Sequence, residues 1–279
     1  MRTSFLAAAM LAVASCAQIS QDVDAGLGAL QKVEANHAAA VTLLRSPEVP
    51  LPDGGAVLSV TGAAVFFGSV SPQTVTSANP QGIPGAAVTV GDGAGGLTPC
   101  ADLGNGGYVA TSLDAGLSYD PNATYTFTIV SGGATYVATG TAPPPETVPA
   151  FQQTLGDAGI PIFAQIPAGT GYTLTRAAPS GTKLAVAFTA VNQITNGSQS
   201  ATPTWTNLPQ TPLALLNFMV NDSSYRSATV SIPGSAFPAP GFYVVSLTAV
   251  NEGSPQSNNL FLGSPVLIGA ASAGILEAQ

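Results

Sequence analysis

The sequence predicts an all-β protein: two tandem antiparallel β-sandwiches after a signal peptide and a short helical tether. Three observations carry that expectation. Charged residues make up only 7% of the chain, against 31 glycines and 23 prolines. Helices need Lys, Glu and Arg on their wet faces, whereas strands accept Thr and Ser there and Gly and Pro supply the turns. Apolar residues reach 46%, enough to build a core and to exclude a disordered chain. Segments of alternating polarity then recur about every ten residues with turn residues between them, the pattern of a sandwich.

The first element is residues 1–15, read as a signal peptide. Arg2 supplies a positive charge, Phe5 to Ala14 is an unbroken apolar run, and Val13-Ala14-Ser15-Cys16 follows with small residues before the cut. The run is too short for a permanent bilayer span, which takes about 20 residues. Those last four residues resemble the lipobox of bacterial lipoproteins: an aliphatic residue, two small residues and a cysteine. The resemblance implies that Cys16 is acylated and becomes the first mature residue, anchoring the chain to a membrane through its lipid. Acyl chains contribute ~0.8 kcal/mol per buried methylene, so several on one cysteine hold stably. Ala17 stands where an aspartate would mark inner-membrane retention, which favours the outer membrane. Plain secretion with a free cysteine and an uncleaved anchor are the competing readings.

Residues 16–53 read as a tether with a short helix. Leu27, Leu30, Val33, Ala40, Leu43 and Leu44 fall at roughly helical spacings. Asp22 and Asp24 near the start and Arg45 near the end suit the helix dipole. Pro47, Pro50 and Pro52 stop any helix. His37, the only histidine, is expected as a solvated residue of this helix.

Residues 54–142 read as the first sandwich. Strands are expected at 56–60, 64–67, 86–90, 108–111, 124–129 and 135–138. In Thr124 to Ile129 the apolar Tyr125, Phe127 and Ile129 alternate with threonines, and Ser131-Gly132-Gly133 reads as a hairpin turn. Gly85 to Val90, Gly107-Tyr108 and Tyr125-Thr126-Phe127 before a Gly-rich hairpin resemble the carboxypeptidase-regulatory-like or transthyretin-like surface modules, which implies a small Greek-key sandwich. The histidines, arginine and Tyr-Arg-Gly-Ser end of that fold's hydrolase branch are missing here, so its activity is not implied.

Pro143-Pro144-Pro145 gives a stiff, extended connector, and 143–149 reads as the linker. Residues 150–279 read as a second sandwich. Strands are expected at 161–164, 172–175, 183–191, 213–219, 227–232, 240–250, 259–262 and 265–268. Ile232 to Pro238, followed by Gly241-Phe242-Tyr243-Val244-Val245, resembles fibronectin-III-like and immunoglobulin-like modules. In that resemblance Tyr243 takes the place of a tyrosine corner and Trp205 that of the core aromatic.

The chemistry-bearing residues are few. The net charge of −8 comes from 14 acids and 6 bases, with no Lys or Arg between Arg45 and Arg176. Such a chain repels phosphate backbones, which argues against nucleic acid as a partner. With one histidine outside both expected sandwiches, neither Ser-His-Asp catalysis nor a His-based metal site is expected within them. Asp92, Asp102, Asp114, Asp120, Glu146, Asp157, Asp222 and Glu252 are scattered over expected turns, with no spacing that pairs two carboxylates in a cleft. Asp92, Asp102, Asn105, Asp114, Asp120 and Asn122 are hard oxygen donors that calcium could use; turn chemistry explains the same residues. Cys100 is expected as a small, partly buried residue, the alternative being a reactive thiol. No cofactor is expected.

The expectation is a non-enzymatic outer-membrane lipoprotein that binds or scaffolds a protein or glycan partner. The alternative is a carbohydrate- or small-ligand-binding surface lipoprotein of an uptake or degradation system. That alternative needs clustered exposed aromatics, for which Trp205, Tyr172, Tyr225 and Tyr243 are the candidates.

Overall fold

The computed structural model describes residues 37–50, 56–57, 59–69, 81–151, 154–155, 161–195, 198–200, 202–209, 223–257, 260 and 264–279. Cys16, Asp157, Asp222 and the expected strand at 213–219 lie outside the described residues. The principal strands of the first half are β1 (His37–Arg45), β2 (Thr61–Ser69), β3 (Ala87–Gly91), β4 (Leu97–Pro99), β5 (Ala101–Gly104), β6 (Gly107–Thr111), β7 (Thr124–Ser131) and β8 (Ala134–Thr141). Those of the second half are β9 (Ala164–Ile166), β10 (Tyr172–Thr175), β11 (Val186–Thr195), β12 (Trp205–Thr206), β13 (Thr229–Ile232), β14 (Gly241–Glu252), β15 (Ser254–Pro255) and β16 (Val266–Ala278). Among the described residues no helix is long and apolar enough to cross a membrane.

One sheet of eleven strands runs through the molecule, with the central order β11-β14-β16-β1-β2-β6-β5. Its neighbours on this path are antiparallel except at the middle, where β1 and β16 run parallel with Val41 opposite Val266 and Arg45 opposite Ala270. A five-stranded sheet, β15-β8-β7-β3-β4, covers one half of it. The β10–β13 pair lies over the other half.

The first core fills the space under the five-stranded sheet. Val88, Val90, Tyr125, Phe127, Ile129, Tyr136 and Ala138 come down from β3, β7 and β8. They meet Ala39, Val41 and Leu43 of β1, Val65 and Phe67 of β2, and Val266, Ile268 and Ala270 of β16. The second core joins Leu174 and Ile232 of β10 and β13 to Ala187 and Val191 of β11 and to Tyr243, Val245, Leu247 and Ala249 of β14. Leu276 and Ala278 of β16 close it. Because side chains on one strand face recur every second residue, the same face of β16 serves the first core at its start and the second at its end.

The expected boundary at 143–149 is therefore no break in the main sheet. After β14 the chain returns to the first half, where β15 pairs with β8 and Leu260 enters the first core. The linker itself is bound to the shared sheet. Ala142 is buried in the first core and Val148 in the second. Between them Ser272 Oγ of β16 donates to the Glu146 carbonyl at 2.8 Å. Phe151 lies across Gly274, where an added Cβ would come within 2.5 Å of its ring. Small side chains at 272 and 274 let the connection cross the sheet between the two cores.

The expected helix is corrected over 37–45, which is strand β1; its earlier part, 27–36, lies outside the described residues. Residues 38–43 of β1 are all buried, so both faces are covered. A strand covered on both faces loses polar alternation and reads as a continuous apolar run. Ladders to β2 and β16 then override the helix preference of its Ala and Leu residues.

The hairpin expected at 131–133 is present, and a second, not expected from the sequence, joins β5 to β6. Gly132 and Gly133 join β7 to β8 with φ of 58° and 78°. Asn105 and Gly106 join β5 to β6 with φ of 52° and 79°. Positive φ at both central residues is the primed turn that matches the strand twist. Three buried tyrosines pin further turns through their hydroxyls. Tyr243 donates to the Ala239 carbonyl at 2.8 Å and accepts from its N–H at 3.3 Å. Tyr125 donates to the Ser118 carbonyl and accepts from the Asp120 N–H. Tyr108 does the same with the Ile83 carbonyl and the Ala86 N–H.

Candidate functional site

The four aspartates spend oxygens on local turns, the two asparagines take left-handed turn positions, and the six are not gathered. Asp92 Oδ1 accepts from the Ala94 and Gly96 N–H groups at 3.0 and 2.9 Å. Asp102 accepts from Gly85 N–H at 2.6 Å and Gly104 N–H at 2.7 Å, tying the Pro84-Gly85 turn to the β5–β6 hairpin. Asp114 accepts from the Thr111 hydroxyl and Asp120 from the Ser118 hydroxyl. Asn105 and Asn122 occupy left-handed turn positions, with φ of 52° and 67°, which asparagine tolerates better than most residues. Among the described residues no cluster of three or more His, Cys, Asp or Glu could hold a metal ion.

His37 is corrected from a solvated helix residue to a half-buried strand residue against the first core. Its ring stacks on Phe67 with centroids 5.4 Å apart and tilts against Tyr136 at 4.9 Å. Nδ1 lies 3.1 Å from the Tyr136 hydroxyl. Burial lowers the His37 pKa from its ordinary 6.5. The unfolded chain then takes up this proton at a higher pH than the folded chain. Stability contributed by neutral His37 is present above pH 6.5 and falls as the solution is acidified below it. Melting temperatures between pH 7.5 and 5 should decline, and His37→Phe, which keeps the ring stack, should flatten the decline. An unchanged slope in the variant would remove His37 as its source.

Cys100 links β4 to β5 and packs against the first core. Burial pushes its thiol up to about 11, which leaves little thiolate at neutral pH.

Sequence reasoning passed over one buried ion pair. Glu146 and Arg176 are 5% and 2% exposed. Arg176 Nε donates to Glu146 Oε2 at 2.5 Å and Nη2 to Oε1 at 2.7 Å. The guanidinium also donates to the Ala185 and Tyr225 carbonyls, and Glu146 Oε1 accepts the Ala185 N–H at 2.9 Å. The pair ties the linker to β10 and β11. The one signal in the sequence is Arg176 itself, the first base after a long stretch without any.

The four candidate aromatics divide. Tyr243 is fully buried in the second core and Tyr172 packs at its margin. Trp205 and Tyr225 come together in a cleft of about 280 Å³ at the open edge of the second half. One wall is Ala187 of β11, Trp205 of β12 and Asn207; the other is Thr229 to Ser231 of β13. Ser224 and Tyr225, on the short 3-10 turn Ser223–Arg226, close one end.

The local sequence explains how this wall stands. Thr204 Oγ1 donates to the Val191 and Ala236 carbonyls, and Thr206 Oγ1 to the Thr189 carbonyl, stapling β12 to the edge of β11. Asn207 extends the edge by accepting the Thr189 N–H at 2.6 Å. The threonines flanking Trp205 thus mark an edge strand. Tyr225 packs edge-on against Phe188 at 5.6 Å, and its carbonyl is held by Arg176. No charged side chain lines the cleft among the described residues. Behind the cleft wall, Thr189, 1% exposed, carries the only buried side-chain polar atom without a partner among the described residues. It sits two residues from Ala187 on the same face of β11.

The chain is thus an all-β protein with a neutral, aromatic-walled cleft at a sheet edge. No protein-family model matches it, and a comparison with curated proteins finds no match.

Proposed function

We propose that this chain is a non-enzymatic cell-envelope lipoprotein, anchored through Cys16 to the outer membrane, with its β-sheet body binding or scaffolding a partner. The observation that carries the reading is the order of Arg2, the apolar run Phe5 to Ala14, and Val13-Ala14-Ser15-Cys16. Between Cys16 and β1 lie 20 residues of connecting chain, from Ala17 to Asn36. Extended, they reach roughly 70 Å, long enough to hold the body clear of a lipid surface.

The test is the mass of the N-terminal peptide from protein expressed in a bacterial envelope. The expected species begins at Cys16 and carries diacylglyceryl and a further acyl chain. Cys16→Ser should release the chain from the membrane fraction. A bare thiol at residue 16, or residues 1–15 still attached, would overturn the reading.

A further inference from the structure

We propose that the cleft at the edge of the second core binds one ring of a neutral glycan, with Trp205 as the platform beneath the sugar face. This deepens the binding half of the function proposed above and is independent of the lipid.

A pyranose ring makes two demands at once. Its C–H bonds collect on a face that packs against the electron-rich face of an aromatic ring, and its hydroxyls need donors and acceptors around the rim. The cleft meets both. Trp205 lies along one wall and Tyr225 at one end. The Trp205 indole N–H and the hydroxyls of Ser224 and Ser231 make no hydrogen bond within the described residues, so each can serve a ligand. Asn207 commits Oδ1 to Thr189, while its Nδ2 makes only a long 3.4 Å contact with the Ala187 carbonyl.

Size and charge narrow the occupant. At about 280 Å³ the cleft falls just below the 300–1,000 Å³ of ordinary ligand pockets, so it holds a single ring rather than a chain. The absence of charge in the described lining gives nothing to pair with a carboxylate, sulfate or phosphate. The net charge of −8 repels acidic polymers further. Because β12 is an edge strand of the main sheet, the cleft opens sideways, and one unit of a longer glycan could enter while the rest runs past.

The chain carries a single tryptophan, so its emission reports this cleft alone. The full-length protein in detergent is titrated with cellotetraose, xylotetraose, mannotetraose and triacetylchitotriose, with tetragalacturonic acid as the acidic counterpart. The expected result is a saturable shift in emission with at least one neutral sugar and none with the acid. Ser231→Arg fills the cleft from an exposed position and should weaken that binding about tenfold or more at an unchanged melting temperature. Trp205→Phe, read by calorimetry, keeps a ring but loses the indole N–H, and should weaken it by a smaller factor. No response to any neutral sugar, equal binding of the acid, or full binding by Ser231→Arg would each overturn the proposal. The mass of the N-terminal peptide separates the two readings: a lipidated but sugar-blind chain removes only this one, and a sugar-binding chain without lipid removes only the anchor.

Discussion

Replacing Arg176 by methionine is expected to destabilise the folded chain by about 3–5 kcal/mol, read as a lower midpoint in urea. Arg176 and Glu146 are both almost fully buried. Removing the guanidinium leaves a carboxylate away from water with only the Ala185 N–H to hold it, and frees the Ala185 and Tyr225 carbonyls. An uncompensated buried charge costs far more than an exposed ion pair is worth, which is about 0–1 kcal/mol. Arg176→Lys should recover little, because an ammonium cannot present the two parallel donors that Nε and Nη2 give Glu146. The double variant Glu146→Leu with Arg176→Met should recover most of the loss, since well-packed apolar replacements of a buried pair are often neutral. Raising salt should leave the effect in place, because screening acts weakly on buried charges. A single-variant loss under about 1 kcal/mol, the range of exposed pairs, would show that water reaches the pair. The same substitution releases the carbonyl of Tyr225, so it should also loosen the closed end of the cleft.

The parts of this fold legible in the sequence are those whose pattern is local. Tyr125, Phe127 and Ile129 alternate with threonines because one face of β7 is covered and the other half-open. Gly132-Gly133 announces a hairpin because few other residues adopt positive φ at both turn positions, whereas Asn105-Gly106 makes the same kind of turn after a strand, β5, that is largely exposed and carries no alternation to mark it. Tyr243 is legible as a turn-pinning tyrosine from its place near the start of β14. What cannot be read is non-local. β1 lies between β2 and the distant β16, and its double burial removes the alternation by which strands are recognised. The ion pair joins residues thirty positions apart, with no pattern linking them. The three prolines mark a connector, but nothing in them shows its burial against Ser272 and Gly274. Trp205 and Tyr225 stand out as aromatics, but their pairing does not. Only the polar flanks of Trp205 hint that it stands at a sheet edge rather than deep in a core.

The shared sheet also dictates how the molecule unfolds. Two independent sandwiches joined by a linker would melt in two transitions, each moved only by substitutions in its own core. Here β16 gives Val266, Ile268 and Ala270 to the first core and Leu276 and Ala278 to the second, and it pairs with β14 along twelve residues of that strand. Calorimetry should therefore find one cooperative transition. Ile268→Ala and Leu276→Ala, both at fully buried positions, should each lower that single transition by about 2–5 kcal/mol. Deleting residues 266–279 should abolish it, because β14 and β1 both lose a ladder partner and both cores lose a wall. By the same reasoning, residues 54–142 alone should not fold, since they lack β1, β16 and Leu260, which complete the first core. Two transitions that respond separately to the two substitutions would show that the cores are independent and that β16 only bridges them. A single transition would mean that the linker, the ion pair and the cleft edge all depend on one strand at the centre of the sheet.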